Sequence, residues 1–359
     1  MNKQRKGGGI VGGFLLFIIG ISLLWWNEGR TAKTISLLKE AKANYVQLDT
    51  PKIDKANNNK LVSTNGKLDV SSSKELVDEE FGVKASSAKM ERIVEVYQWD
   101  EECTTDEDNN TTCTYKKEWS SDLIDSSTFK EKGHDNPTSK QYENKVYLGD
   151  NVKLGEFVIP NDLVSKLSTK ESIRDLNSEV ATSKNLKISS NGDSYTNTQD
   201  EANPQIGDMK ITFNKNNTTD VSILAVQTND TFSAYTAKNG KSLEVIREAN
   251  MTGAEIIAAL VKNNNMLKWI FRLIGFILVS CGIASLFSFL TMITSRIPIL
   301  GSLVGGTISL ISMLLGLAIS FIVCAIAWFR FRPIISIILL VGAGVAICLV
   351  KFLPKKKEN

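Results

Sequence analysis

Histidine is almost absent from this sequence, which has only His134 among its 359 residues. Most histidine-based metal sites are therefore excluded, and any Ser-His-Asp triad would depend on that one residue. The G-x-S-x-G turn that presents a nucleophilic serine is absent. The glycines at 7–9 do not form a phosphate-binding loop, because such a loop connects a strand to a helix and these glycines precede an apolar run. His134 lies in Gly133-His134-Asp135-Asn136-Pro137, a composition typical of a turn. We expect a structural role for it and assign no catalytic residue.

A calcium loop is also missing, although one segment has its first features. Asp106, Asp108 and Asn110 alternate as the first ligands of an EF-hand do. The sixth position is Thr111 where glycine is required, and the twelfth is Lys117 where glutamate is required. We interpret this segment as a solvated hairpin tip and predict no metal site and no cofactor.

Charge is lacking from long apolar runs at 10–26, 273–294, 300–328 and 334–350. A helix needs about 20 apolar residues, and at least about 17, to cross a bilayer. We predict transmembrane helices at 10–26, 269–294, 300–328 and 333–353, with a short basic N-terminus at 1–9, a central domain at 27–268 and a basic tail at 354–359. Transporters and pumps usually keep ionisable residues within their spans. The charge-free runs therefore favour close helix packing, for which the small residues Gly301 and Gly305 are candidates.

The basic residues indicate how the chain is oriented. Lys and Arg are concentrated before the first span and after the last, at Lys3, Arg5, Lys6, Lys351 and 355–357. By the positive-inside rule both termini are predicted to be cytoplasmic and the central domain exported. Arg330 and Arg332 would lie outside and count against this orientation, but they are outnumbered. Large residues follow the first run where a signal peptidase needs small ones, so we expect the run to remain as an anchor.

Two cysteines lie in the central region and three in the apolar runs. Cys103 and Cys113 are expected to form a disulfide in an oxidising compartment, worth roughly 2 to 3 kcal/mol. The alternative is two free thiols on a polar loop. Cys281, Cys324 and Cys348 are interpreted as small apolar groups within the spans.

The central region is predicted to be an α+β domain rich in strands. Residues 92–99 and 115–119 are rich in β-branched and aromatic side chains and indicate a long hairpin. Residues 209–213 alternate between apolar and polar, and 221–226 form an apolar run apart from Ser222, as strands do. The pattern after the first span stays helical, and the asparagines at 263–265 are expected to break the chain before the second span.

Charged residues border the first two apolar runs. Glu28 and Arg30 follow the first run, and Arg272 precedes the second. A Glu28–Arg272 pair would lock together the two helices that flank the central domain. The alternative is that each side chain reaches water independently.

Several motifs along the chain resemble the LUMA, or transmembrane protein 43, family. They include Trp26-Asn27-Glu28-Gly29-Arg30, Tyr97-Gln98-Trp99, Gly133-His134-Asp135-Asn136-Pro137, Leu154-Gly155-Glu156-Phe157 and Arg332-Pro333. The resemblance covers nearly the whole chain and implies four transmembrane segments with a large lumenal or periplasmic domain. It also implies self-association and a role in organising membrane protein complexes, and it brings no catalytic residue. The cysteine pair and its acidic loop depart from the family pattern.

These observations lead to one leading hypothesis and two rivals. We expect a non-enzymatic membrane scaffold whose partners are membrane lipid, other copies of itself, and other membrane or periplasmic proteins. A net charge of +3 is too mild to indicate nucleic acid. The frequent Asn and Lys residues fit a bacterial source, so an inner-membrane location is expected. The rivals are a channel or transport accessory and a hydrolase of envelope lipid or glycan that uses paired carboxylates.

Overall fold

The computed structural model describes residues 8–105, 110–294, 305–329 and 333–352. The α-helices within these residues are α1 (Gly8–Asn44), α2 (Asn161–Val164), α3 (Ser178–Ser183), α4 (Gly253–Thr294), α5 (Gly305–Trp328) and α6 (Pro333–Phe352). The chain divides into two compact units, and each is described by itself. One unit comprises 1–43, 236–242 and 257–359, and the other comprises 44–235 and 243–256.

The strands in the described residues belong almost entirely to the second unit. In chain order they are β1 (Val46–Gln47), β2 (Leu61–Asp69), β3 (Leu76–Asp78), β4 (Val83–Ala85), β5 (Lys89–Thr105), β6 (Thr111–Ser120), β7 (Lys145–Leu148), β8 (Lys153–Leu154), β9 (Phe157–Val158), β10 (Glu171–Ser172), β11 (Lys187–Ile188), β12 (Ser194–Thr196), β13 (Met209–Lys215), β14 (Asp220–Thr228), β15 (Thr231–Ser233), β16 (Tyr235–Thr236), β17 (Ser242–Leu243) and β18 (Val245–Arg247).

Most of these strands form two sheets of seven. The first has the order β15-β14-β2-β8-β9, with β1 parallel to β2 and β18 beside β14. The second has the order β11-β12-β13-β5-β6, with β10 on β13 and β7 on β5. Each sheet covers its own hydrophobic core, one containing Phe157 and Ile223 and the other containing Phe81 and Phe213.

Burial along the strands follows the sequence pattern that predicted them. In β13, Met209, Ile211 and Phe213 are buried and the residues between them are half-buried, as expected for a strand with one face on a core. The strand β14 is buried from Val221 through Ala225, which explains its mostly apolar sequence, and the buried Ser222 hydroxyl donates to the carbonyl of Ala249. The predicted hairpin is confirmed, because β5 and β6 pair from Val96 with Ser120 to Thr105 with Thr111.

The first unit is built from long apolar helices. Three helical stretches, Val11–Asn44, Gly253–Phe287 and Ser309–Trp328, are long and apolar enough to cross a membrane, and a shorter apolar stretch covers Ser336–Val350. The predicted fold class is therefore confirmed: a membrane protein with one N-terminal and three C-terminal apolar helices and a strand-rich region between them in sequence. The bounds differ from the predicted spans, because α1 and α4 extend well beyond their apolar runs.

The predicted break at residues 263–265 is wrong, since α4 passes through these asparagines without interruption. Asparagine favours caps and turns because its side chain competes for backbone hydrogen bonds. Here the amides find other partners: Asn264 accepts from the guanidinium of Arg30, and Asn265 accepts from the amino group of Lys268. These side-chain partners offset the weak helix propensity of the run.

Helices α1 and α4 pack closely because glycines face each other. A Cβ added to Gly20 would lie 2.8 Å from a methyl group of Val279, and one added to Gly282 would lie 2.7 Å from the backbone nitrogen of Phe17. A Cβ on Gly13 would lie 2.6 Å from the side chain of Ser285. As residue numbers increase along α1 from Gly13 to Gly20, the residue numbers of their contacts on α4 decrease from Ser285 to Val279. The two helices are therefore antiparallel.

Candidate functional site: a buried carboxylate among the apolar helices

Glu28 lies on a buried stripe of α1. Leu24, Asn27, Glu28 and Thr31 are each at most 1% exposed. Their spacing of three, four and seven residues puts them on one face of a helix, the face that packs against other elements. The sequence thus places a carboxylate within a packed interface at the point where the apolar run of α1 ends.

Three helices contribute to the environment of this carboxylate. Arg272 of α4 holds it in a two-point contact, with Nε 2.6 Å from Oε1 and Nη2 3.0 Å from Oε2. From α5, the Cys324 thiol donates to Oε1 at 3.3 Å and the Trp328 indole N–H donates to Oε2. Cys324 and Trp328 are four residues apart, so they lie on the same face of α5.

Burying charges is costly unless they are paired and their remaining hydrogen-bonding capacity is filled. The Glu28 side chain is 1% exposed and that of Arg272 is 18% exposed. Four hydrogen bonds reach the two carboxylate oxygens, which fills most of their capacity. The arrangement can therefore exist in an apolar setting, and it holds α1, α4 and α5 in one geometry.

Arg30 contacts a set of partners separate from the Glu28–Arg272 pair. Its guanidinium donates to Asn264 Oδ1 at 3.2 Å and to Asn27 Oδ1 at 3.1 Å, and it lies over the ring of Phe271 at 5.7 Å. Asn27 in turn donates to the backbone carbonyl of Lys268 at 3.1 Å. The three predicted charges thus separate into a Glu28–Arg272 pair and a polar belt around Arg30.

The packing role predicted for Gly301 and Gly305 stays a prediction, because Gly301 lies outside the described residues and Gly305 is the first residue of α5. The close approaches involve Gly13, Gly20, Gly275, Gly282 and Gly316, the last of which faces Ser280. The sequence did indicate four of them. Gly13 and Gly20 are seven residues apart, as are Gly275 and Gly282, and this spacing puts each pair on one face of its helix.

Cys103 and Cys113 are joined by a disulfide in the structure. The two residues lie directly opposite each other in the β5–β6 hairpin. Nearby, Glu101 accepts from the Tyr115 hydroxyl at 2.5 Å and from the Lys130 backbone N–H at 2.6 Å. These hydrogen bonds lower the pKa of Glu101. Asp106 and Asp108 of the acidic segment lie outside the described residues.

His134 belongs to an aromatic cluster on the same hairpin. Its ring stacks on Tyr115 at 3.8 Å and meets the edge of Trp99 at 4.6 Å. The adjacent Asn136 donates to the carbonyl of Trp99 at 2.8 Å and accepts from its N–H at 2.7 Å. The motif around His134 therefore fastens a loop to β5.

A polar groove of about 440 Å³ lies on the second sheet. Its carboxylates are each engaged: Glu95 pairs with Lys210 at 2.9 Å, Glu201 accepts from Ser190 at 2.6 Å, and Asp193 accepts from Asn191 at 2.7 Å. The general acid and base of a glycosidase must be available to substrate and water. These contacts hold the three carboxylates in place along the groove.

Comparison with known proteins accounts for the architecture. The family model described as transmembrane protein 43 matches residues 96–333. The chain belongs to the transmembrane protein 43 family. It is 25% identical to transmembrane protein 43 of Homo sapiens, covering 96% of this chain and 89% of that protein, and 26% identical to that of Rattus norvegicus, covering 92% and 86%. A homolog from Drosophila melanogaster is 24% identical over 92% of this chain and 91% of its own length. No solved structure matches.

The region matched by the transmembrane protein 43 family model contains Arg272, Cys324 and Trp328, and Glu28 precedes it. Sequence analysis identified Glu28 and Arg272 but missed Cys324 and Trp328 as their partners. The sequence did contain a signal for this contact. Cys324 and Trp328 are four residues apart near the end of the third apolar run, and Glu28 lies at the end of the first run, so all three are predicted to lie at the same edge of the membrane.

Proposed function

We propose that this member of the transmembrane protein 43 family is a non-enzymatic membrane scaffold that self-associates and organises membrane protein complexes through its strand-rich domain. The β5–β6 hairpin is the observation that carries the proposal. Residues 97–105 of β5 pair with β6, whereas β13 and β7 pair with earlier residues of β5. The hairpin thus extends past the strands beside it and offers two faces for contact.

The composition of the hairpin supports a role in protein contact. Trp99, Tyr115 and Trp119 are half-buried on it, and Tyr97 packs against Trp119 with ring centroids 5.3 Å apart. Tryptophan and tyrosine dominate the binding energy of protein interfaces because they bury a large area at little entropic cost. The disulfide between its strands restricts the hairpin before binding, which reduces the entropy lost in a complex.

The buried cluster around Glu28 supports a scaffold more than a transporter. Transport requires ionisable groups that exchange partners along a path. Glu28 of α1 is enclosed by partners from α4 and α5, an arrangement that favours one rigid packing. A channel or transport accessory remains the rival, and ion flux through the purified chain in liposomes would distinguish it.

Orientation and location are part of the proposal. We place both termini in the cytoplasm and residues 27–268 in the periplasm, with the chain in a bacterial inner membrane. The distribution of Lys and Arg supports this orientation. Protease added to intact spheroplasts is expected to cut the central domain. Cleavage that requires lysis of the spheroplasts would reverse the orientation.

Self-association is tested by the mass of the full chain extracted in a mild detergent. We expect a particle of more than one copy by light scattering, and co-purification of a defined membrane protein after crosslinking. The variant Trp99→Ala is expected to lose that co-purified protein, whereas Val146→Ala, which alters an exposed side chain on the same sheet, is expected to keep it. A monomeric particle without partners would contradict the proposal.

A further inference from the structure

A groove with apolar walls and a cationic rim runs between α1 and α4. Its volume is about 530 Å³, and Trp328 of α5 and Leu339 of α6 close one end. Ile35 and Leu38 of α1 face Ile257 and Val261 of α4 across it. All of these residues belong to the helical unit.

The charge on the lining of this groove has one sign. Lys39 and Lys42 come from α1, and Lys268 and Arg272 come from α4. Among the described residues, no carboxylate lines the groove. The charge of Arg272 is balanced by its salt bridge to Glu28. The net positive charge of the groove therefore comes from the lysines. The groove therefore favours a ligand that carries negative charge.

The directions of the helices bring these lysines together. Side chains of an α-helix lean toward its N-terminus. The N-terminus of α1 lies in its apolar run, so Lys39 and Lys42 lean toward the membrane. Helix α4 is antiparallel, and Lys268 on it leans the opposite way. The cationic groups therefore lean toward one another in the stretch between Lys268, which lies at the level of Asn27, and Lys39 farther along α1.

A second cavity of about 200 Å³ adjoins the groove. Trp269, Arg272 and Leu339 line both, so the two spaces are separated by no more than these side chains. The walls of the second cavity are apolar apart from Arg272, Ser320 and Cys324. A ligand that fills both spaces needs an anionic head and an apolar tail.

We propose that the groove is a binding site for an anionic glycerophospholipid, with its phosphate at the lysines and one acyl chain in the adjoining cavity. Charge complementarity supports the head group, and the apolar cavity supports the chain. The aromatic residues Trp269 and Trp328 lie where tryptophans mark the interface of a bilayer. The site does not depend on self-association or on the role of the hairpin.

The test measures which lipids stay on the full chain. The protein is reconstituted in an equal mixture of phosphatidylglycerol and phosphatidylcholine, extracted in mild detergent, and examined by native mass spectrometry. We expect phosphatidylglycerol to be retained in clear excess. Equal retention of the two lipids by the wild-type chain would overturn the proposal without the need for any variant.

Two matched double variants locate the bound lipid. K39Q/K268Q removes one groove lysine from each helix, and K33Q/K262Q removes one lysine from each of the same helices outside the groove. The first is expected to reduce the excess of phosphatidylglycerol by roughly tenfold, since each lysine contributes substantially to binding an anionic lipid. The second is expected to keep it. Equal loss in both variants would show annular binding by general charge and would overturn the site.

A third variant examines the acyl chain. Leu339 lies where the groove meets the apolar cavity, and L339W would obstruct the passage while keeping every lysine. We expect loss of retained phosphatidylglycerol, with the thermal unfolding midpoint measured alongside. Full retention by a folded L339W chain would refute the placement of the acyl chain.

Discussion

The indole N–H of Trp328 donates to the carboxylate of Glu28 across 300 positions of sequence. The contact joins α5 to α1, and Arg272 of α4 holds the same carboxylate. A carboxylate in an apolar interface is tolerated because each of its oxygens is met by donors. The cluster is therefore the point at which the packing of three helices can be tested with single substitutions.

Removing only the indole donor is expected to weaken this packing. Trp328→Phe keeps an aromatic ring but leaves Glu28 with one hydrogen bond fewer, which costs about 1.5 to 3 kcal/mol for a charged acceptor. Trp25→Phe is the matched control, since Trp25 is 55% exposed. Thermal unfolding in detergent measures both. Equal midpoints for the two variants would show that the indole contact contributes nothing.

Removing the Glu28 carboxylate alone is expected to lower stability more than removing both Glu28 and Arg272. Glu28→Ala leaves Arg272 as an uncompensated charge in the helix interface and should cost about 3 to 5 kcal/mol. The double variant E28A/R272M removes both charges and should recover a large part of that loss. If the double variant unfolds at as low a temperature as Glu28→Ala, the proposed cause is incorrect.

The glycine contacts between α1 and α4 predict a contrast between two glycines of α1. Gly20→Ala places a Cβ 2.8 Å from Val279, so the helices must separate, at a cost of about 1 to 3 kcal/mol. Gly12→Ala meets nothing within 4 Å and should be neutral or stabilising by up to about 1 kcal/mol. Melting temperatures of the two variants in the same detergent are compared. The prediction fails if their order is reversed.

Loss of the disulfide should loosen the hairpin without unfolding the helices. The variant C103S/C113S is expected to lower the free energy of unfolding of the strand-rich domain by roughly 2 to 3 kcal/mol and to expose β5 and β6 to protease. Cys281→Ser alters a free, exposed cysteine on α4 and serves as control. Unchanged proteolysis of the double serine variant would contradict the expectation.

Tyr147 predicts how stability depends on alkaline pH. Burial, together with a 2.7 Å hydrogen bond to the buried Asp78, raises the pKa of Tyr147 above its ordinary value. The unfolded chain ionises this tyrosine near pH 10 while the folded chain keeps its proton, so the free energy of unfolding decreases as pH rises above about 10. Below that pH the contribution is complete.

The variant Tyr147→Phe tests this dependence. It should lower stability by about 1.5 to 3 kcal/mol at neutral pH, because Asp78 loses a donor. It should also reduce the decrease in stability between about pH 9 and pH 11, without abolishing it, since burial also raises the pKa of Tyr142 and Tyr195. Denaturant titrations at the two pH values provide the measurement. A variant with the wild-type pH dependence would show that Tyr147 is not responsible.

Periodicity and composition were sufficient for the parts of the fold that depend on neighbouring residues. The apolar runs predicted the membrane helices, since hydrocarbon thickness sets their length. Alternation at 209–213 predicted β13, and the paired aromatic and β-branched runs predicted the β5–β6 hairpin. Charged residues beside the apolar runs also indicated Glu28 and Arg272, which the structure brings together.

Other features depended on which helix faces meet, and sequence spacing does not specify that. Tertiary contacts decided that Arg30 turns to Asn264, that α4 continues through residues 263–265, and that Gly20 and Gly282 lie at the closest approaches. The same contacts brought Cys324 and Trp328 to the carboxylate of Glu28. The physical reason is that hydrophobic burial is non-directional. It requires each helix to lie in the membrane, whereas side-chain packing and buried hydrogen bonds select the faces that touch.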